Sequence, residues 1–162
     1  MKIAIMQPYF LPYVGYFQLI NAVDKFVVYD NIQFSKKGWI NRNRILVNGK
    51  DEYFTLPLKK DSDYLNVDQR KLAETFPAER LKLLRKIHAS YHKAPYFKII
   101  FPLIEFILNR QDEDLFSFIF HSLKSVCNHL EIKTEFIISS TVAIDHSLKS
   151  EDKVIAICNA LN

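Results

Sequence analysis

Lys2–Tyr29 reads KIAIMQPYFLPYVGYFQLINAVDKFVVY, and this stretch decides the fold class. Lys2 to Met6 is a short apolar run that predicts a buried opening strand. Gln7-Pro8-Tyr9-Phe10-Leu11-Pro12 cannot lie inside a helix, because proline lacks the backbone donor and restricts the residue before it. A helix can start at Pro12, a favoured first-turn residue. Val14, Phe17, Leu19, Ile20 and Val23 then recur near helical spacing. Lys25 to Tyr29 is a second β-rich run. Strand, turn, helix and strand in thirty residues form a βαβ unit, which predicts a parallel pair joined by a right-handed crossover.

Outward from that unit, Asn31 to Gly38 is a polar loop, and Ile40 to Val47 alternates apolar and polar residues as a strand does. Asn48-Gly49 is a two-residue hairpin turn, since both residues tolerate positive φ. Tyr53 to Leu58 is the expected return strand, and Lys59 to Asn66 a charged surface loop. Helices are expected from Pro77 to His88, around Ile99 to Ile107, and from Asp112-Glu113-Asp114 to about Leu130. The acids at the last of these starts suit the helix dipole. Thr134 to Ser139 predicts another strand, Ser140 to Leu148 a loop, and Ser150-Glu151-Asp152 the cap of a final helix. The fold expectation is α/β: a mainly parallel sheet with a βαβ opening, a β-hairpin arm and a helical insertion at about 68–130, in one domain over 1–162. A chain that stops on a crossover helix normally continues into a strand. The final helix is therefore expected to pack poorly, or to leave apolar sheet surface exposed, as though a C-terminal segment were lacking.

Composition narrows the function classes. With 162 residues, about half of them apolar and a quarter charged, the chain can bury a core unaided. No apolar run is long enough to span a bilayer, and the N-terminus lacks a signal-peptide pattern. The two cysteines, Cys127 and Cys158, fall in apolar helical patterns and are read as free thiols of a reducing compartment. The expected location is cytoplasmic. A net charge of +4 is too mild for a DNA-binding protein. Its placement is uneven: Lys36, Lys37, Arg42, Arg44, Lys50, Lys59 and Lys60 cluster in one region. Such a cluster suits a phosphate-bearing ligand, an RNA or an acidic partner, or is simply a solvated basic face.

Two constellations carry candidate chemistry. The loop from Gln7 to Tyr16 leaves a parallel strand at its carboxyl end and enters a helix, where ligands and anions bind in open α/β sheets. Gly15 inside that helix admits close approach of a ligand or another segment, or helix–sheet packing. Asp30 also follows a strand end, the usual place of a catalytic or ribose-binding carboxylate. Beyond it, Arg42 and Arg44 lie two apart on a strand and share a face, with Asn41 and Asn43 on the other. Two guanidiniums on one face can grip a diphosphate by forked hydrogen bonds. Trp39, the only tryptophan, stacks on a base or sugar, or belongs to the core. Arg42, Arg44 and Lys36 are the expected phosphate ligands, with Gln33 and Asn41 beside them. Asp30 is the expected base or ribose ligand, and Tyr13 a second catalytic candidate. Gln7, Tyr9, Gly15 and Tyr16 line the expected pocket. Gln7, Tyr13, Asp30, Lys36, Arg42 and Arg44 are expected to converge at the carboxyl edge of the first two strands.

The histidines are weaker signals. His88 and His92 share a helical face but lack an accompanying carboxylate motif, so packing or surface roles are expected and no metal site is assigned. Asp145-His146-Ser147 is not a triad, because triad members meet in space and seldom in sequence. Ser139-Ser140-Thr141 either contacts phosphate or is a connecting loop.

The block MQPYFLPYVGYFQLINAVDKFVVYDNIQFSKKGWINRNRI, together with Tyr53–Pro57 and Tyr91-His92-Lys93-Ala94-Pro95-Tyr96-Phe97, resembles the WbqC-like proteins of bacterial surface-polysaccharide gene clusters. The resemblance implies a role in O-antigen or other lipopolysaccharide assembly, by an enzyme of the transferase kind acting on a nucleotide-sugar, or passing an activated amino-acyl (glycyl) group to an amino sugar. The alternative is a non-catalytic scaffold that binds a nucleotide or an RNA such as an aminoacyl-tRNA. The resemblance implies no particular cofactor and gives a pathway more firmly than a reaction. Tyr13-Val14-Gly15-Tyr16 also stands where HIGH-type nucleotidyltransferases carry His-x-Gly-His. Tyrosine donates hydrogen bonds but no charge at neutral pH, so arginine and lysine would have to supply it.

Overall fold

The computed structural model describes residues 1–162. Strand β1 (Ile3–Met6), helix α1 (Val14–Asn21) and strand β2 (Lys25–Val28) form the expected βαβ unit. β1 and β2 pair in parallel with Ile3 opposite Lys25. The other side of β2 takes β5 (Glu135–Ile138), also parallel, with Lys25 opposite Glu135. The sheet order is thus β1-β2-β5. The central strand is sealed on both faces, with Phe26, Val27 and Val28 fully buried. That burial is the mark of a parallel strand under crossover elements.

Between β2 and β5 lie the hairpin β3 (Arg42–Val47) and β4 (Lys50–Thr55), then helices α2 (Phe76–Tyr91), α3 (Phe97–Leu108) and α4 (Leu115–His129). The α/β architecture, with its hairpin arm and helical insertion, is as the sequence predicts. One core joins these parts. Phe10, from the loop after β1, packs on Phe118 of α4 and edge-on to Phe54 of β4. Tyr16 of α1 lies edge-on to Phe26 of β2, which meets Phe136 of β5. α4 contributes the most buried side chains of any helix and is capped by Asp114, whose carboxylate accepts from the Ser117 amide at 2.6 Å.

Local boundaries differ from expectation for identifiable reasons. α1 begins at Val14, not Pro12, because Leu11 is left-handed (φ 45°) and Tyr13 is extended, so Pro12 belongs to the loop. The return strand is Lys50–Thr55 rather than Tyr53–Leu58, because a two-residue turn puts Lys50 directly opposite Val47. The final helix, α5 (Ser150–Leu161), is not capped by Ser150, which has φ 48°; its acids Glu151 and Asp152 do occupy the first turn. α5 docks by a narrow stripe: Ile157 is buried, Lys153 Nζ lies 5.1 Å from the Tyr29 ring centre, and Lys25 Nζ donates to the Leu161 carbonyl at 3.0 Å. Val154 and Ile155 of the same helix stand exposed. Both cysteines are free; burial pushes the Cys127 thiol up to about 11. No helix is long and apolar enough to cross a membrane.

Asn48 and Gly49 both adopt positive φ, 49° and 79°, as the predicted turn requires. Replacing the pair by Val-Val forces two β-branched residues into the left-handed region, at about 1–2 kcal/mol each. The expected outcome is a urea midpoint lowered in proportion; an unchanged midpoint would show that the hairpin does not depend on this turn.

Candidate functional site

The loop after β1 is held from inside. The Tyr16 hydroxyl donates to the Gln7 carbonyl at 2.7 Å, and the Tyr9 hydroxyl donates to Gln7 Oε1 at 3.4 Å. Burial drives the Tyr16 phenol far above its ordinary range, so it stays a proton donor at any working pH. Asn43 Nδ2 donates to the carbonyls of Phe10 and Leu11, and the Phe10 amide donates to Ile40 at 3.0 Å. These bonds fix the left-handed Leu11. The two tyrosines of Tyr13-Val14-Gly15-Tyr16 therefore do not face one site: Tyr16 is a core residue and Tyr13 is 72% exposed. Gly15 is explained by Tyr13, because a Cβ there would overlap the Tyr13 ring.

Asp30 is 2% exposed at the end of β2. Its Oδ1 accepts from Ser139 Oγ and the Ser140 amide, both at 2.9 Å, and its Oδ2 accepts from Ser140 Oγ at 2.6 Å. Ser139 and Ser140 thus hold Asp30. The carboxylate clamps the carboxyl ends of β2 and β5 together. Ser139 Oγ also lies 2.6 Å from Asn31 Oδ1, and Asn31 Nδ2 lies 3.0 Å from His146 Nδ1. His146 Nε2 is 3.0 Å from the Val142 carbonyl, so Nε2 carries the proton in the neutral ring. Nearby Asp68 has its carboxyl pushed up, first by burial and then by the charge of Asp30. No group of three or more His, Cys, Asp or Glu side chains is gathered to hold a metal ion. His88 and His92 stack ring on ring, and His88 packs edge-on to Phe97 and Phe101.

The basic residues assemble elsewhere. Before it returns to Phe10 at Ile40, the loop after Asp30 makes a detour away from the sheet. It is tied to the segment before α2: the Phe34 amide donates to Leu65, the Val67 amide donates to Ile32, and Gln33 Nε2 donates to the Asp63 carbonyl at 3.2 Å. Lys36 pairs with Asp63. This tie opens a cleft of about 480 Å³ between the loop, the hairpin and the segment from Pro57 to Arg70. Its lining includes five cations, Lys36, Arg42, Lys59, Lys60 and Arg70, against one carboxylate, Asp61. Asn41 is on its wall, held by an exchange with Leu56 in which the Leu56 amide and Asn41 Nδ2 each donate, at 2.7 and 2.8 Å.

Beside the cleft lies an aromatic platform. Trp39 and Tyr53 stack with ring centres 5.9 Å apart and planes 24° from parallel, and Trp39 is 37% exposed. The Arg42 guanidinium lies 5.5 Å from the Trp39 ring centre and that of Arg44 5.2 Å, both also close to Tyr53. The two arginines share a face, as their spacing predicts. Arg42 belongs to both cleft and platform and also donates to the Lys37 carbonyl. Arg44 pairs with Asp51 at 2.9 Å. A separate apolar pocket of about 400 Å³ lies between the hairpin and α2–α3; Arg44 is the only charged residue lining it.

Of the sequence candidates, Lys36, Asn41 and Arg42 therefore meet in the cleft, with Trp39 and Arg44 on the adjoining platform and Gln33 in the tie that shapes it. Gln7, Tyr13, Asp30 and Arg44 do not line it, so this cleft does not gather the six residues expected to converge at the sheet edge. Lys59 and Lys60 were visible only as members of a basic cluster. Arg70 carried no signal, because it lies in a stretch without periodicity.

The WbqC-like protein family model matches residues 7–162. The chain belongs to the WbqC-like protein family. An uncharacterised protein of Mycobacterium tuberculosis is 31% identical over 137 residues, which cover 82% of this chain and 58% of that relative. The chain thus spans somewhat more than half of that WbqC-like relative's length. No solved structure matches it.

Two changes test the local readings. Asp30→Asn places an amide NH₂ against donors from Ser139 and Ser140, and a buried unsatisfied donor costs about 1–3 kcal/mol. The urea midpoint is expected to fall accordingly, whereas an unchanged midpoint would mean that the clamp contributes nothing. Gly15→Ala is expected to be near neutral alone. In a Tyr13→Ala background, where the overlapping ring is gone, it should stabilise by about 1 kcal/mol through helix propensity. Marked destabilisation of the double variant would show that Gly15 is required for packing against another segment.

Proposed function

We propose that this chain works in surface-polysaccharide assembly by binding a nucleotide-linked sugar, with the diphosphate in the basic cleft and the base against the Trp39–Tyr53 platform. The observation that carries the reading is the junction at Arg42, one guanidinium shared by a five-cation cleft and an exposed aromatic stack. A cleft lined by one sign of charge concentrates anions. Guanidiniums suit phosphate because their planar fork matches two oxygens at once. A nucleotide carries both chemistries, phosphate and aromatic base, which is why it suits the pair better than a bare anion or a neutral sugar. The membership of the WbqC-like family supports the pathway; the transfer itself, glycosyl or amino-acyl, is a further part of the proposal.

In this reading Asp30 is a positioning residue. Its two oxygens already accept three hydrogen bonds, so it fixes the strand ends that frame the cleft's loop. Lys36 and Asp63 form an exposed pair at the cleft mouth, and such a pair costs little to open. Lys36 is thereby free to move onto an entering phosphate.

Calorimetric titration with a panel of nucleotide-sugars is the test. Losing one charge-assisted hydrogen bond costs about 1.5–3 kcal/mol, so Arg42→Ala is expected to weaken binding roughly tenfold to a hundredfold with the melting temperature little changed. Arg42→Lys should recover only part, since lysine lacks the fork. Equal affinity of Arg42→Ala and the parent would overturn the proposal, as would preference for a charged tRNA over every nucleotide-sugar.

A further inference from the structure

Arg70 is 3% exposed, and it lines the floor of the basic cleft. Its backbone is fixed from both sides: its amide donates to Val67, and its carbonyl accepts from the Leu115 amide at 2.9 Å. Its guanidinium lies 4.9 Å from the ring centre of Phe34. Yet no protein group accepts from it. Nε and Nη2 are both buried without a hydrogen-bond partner, and Arg70 takes part in none of the six salt bridges. Nε and Nη2 form one edge of the guanidinium, the edge that presents two parallel N–H donors to a carboxylate or phosphate. Arg42 repeats the pattern more weakly, with Nε also buried and unpartnered.

A buried charge without a counter-charge is strongly unfavourable, and native chains pair buried arginines or leave them out. Four other cations on the same lining, Lys36, Arg42, Lys59 and Lys60, outnumber its one carboxylate, Asp61, and aggravate the cost of keeping Arg70 charged. Asp63 is close enough for Arg70 to help hold its carboxyl below the usual range, but it pairs with Lys36. The packing on Phe34 does not compensate, because an uncharged side chain of similar length would make it without the charge.

We infer that Arg70 is a dedicated oxyanion receptor at the cleft floor, taking one phosphoryl group of the ligand's diphosphate on its Nε–Nη2 edge. The inference rests on the reading above for the place of the site, but not for the base or the sugar. It adds a second, deeper anion position to the one at Arg42, so the ligand carries two neighbouring phosphoryl charges, and pyrophosphate alone contains the recognised unit. Lys59 and Lys60 face the same space and supply the remaining charge. The receptor is kept at a cost to the empty protein. A methionine in its place fills similar volume and suits the Phe34 ring, so removing the charge should stabilise the empty fold while removing the site.

The test uses the intact 162-residue chain at fixed ionic strength, with inorganic pyrophosphate and orthophosphate as probes and chloride as the control anion. Pyrophosphate is expected to bind more tightly than orthophosphate and to raise the parent's melting temperature. Arg70→Met should melt above the parent in phosphate-free buffer and gain nothing from pyrophosphate. Arg70→Lys, which keeps the charge without the fork, should bind pyrophosphate at least tenfold more weakly than the parent and serves if the methionine variant does not fold. Pyrophosphate affinity unchanged in either variant would overturn the inference, as would a methionine variant that melts lower and still binds. If the parent binds pyrophosphate through Arg70 but no nucleotide-sugar, the receptor stands and the nucleotide-sugar reading falls. If nucleotide-sugars bind equally to the parent and to Arg70→Lys, the reading stands and the receptor falls.

Discussion

Asp30 closes the molecule. Its carboxylate takes three hydrogen bonds from Ser139 and Ser140, about 110 residues later in the chain. It thereby locks the carboxyl ends of β2 and β5 together. Everything between them, hairpin and three helices, is a single long excursion from the sheet and back. A buried carboxylate is tolerable only because its lone pairs are met. Those bonds set where the loop after Asp30 departs. The loop leaves the sheet toward the segment before α2, where Leu65, Asn66 and Val67 receive it. The basic cleft is the space left between that tie and the hairpin.

Two kinds of polar burial therefore coexist. The side chains of Asp30, Asn41, Asn43 and Tyr16 each meet a partner, and the result is a rigid frame. On the cleft side, Arg42 and Arg70 retain unpartnered donors. Folding alone does not favour the second arrangement, since unsatisfied buried donors destabilise. Local violations of this sort concentrate where a protein meets a ligand. The Trp39–Tyr53 stack is a similar case: hydrophobic area left at the surface beside the charges that frame it.

Much of the fold was legible because its signals are local. Pro8 and Pro12 forbid helix between β1 and α1, and Asn48-Gly49 suits only a tight turn. The period of a strand by itself puts Arg42 and Arg44 on one face. What stayed hidden depends on contacts between distant segments. Leu58 bridges Leu72, Gln33 bridges Asn66, and Lys71 bridges Asp114, and these isolated bridges bring Arg70 to the hairpin. No periodicity announces such bridges, so the sequence could not place Arg70 beside the hairpin. Asp30 misled for a related reason: a carboxylate at a strand end invites a ligand role, and only the position of Ser139 and Ser140 reveals that the partners are internal. Tyr16, expected in the pocket, is drawn into the core by Phe17 and Phe26.

The central claim is that the unpartnered Nε–H groups of Arg42 and Arg70 await a phosphoryl ligand. Their Nε–H groups can be watched individually by NMR in protein carrying ¹⁵N-labelled arginine, as pyrophosphate is added. The account predicts that two Nε–H signals, assigned to Arg42 and Arg70 by substitution, move downfield together and become slow to exchange with water, while that of Arg110, which pairs with Asp112, stays in place. Signals from Arg42 and Arg70 that remain unmoved at saturating pyrophosphate would contradict it.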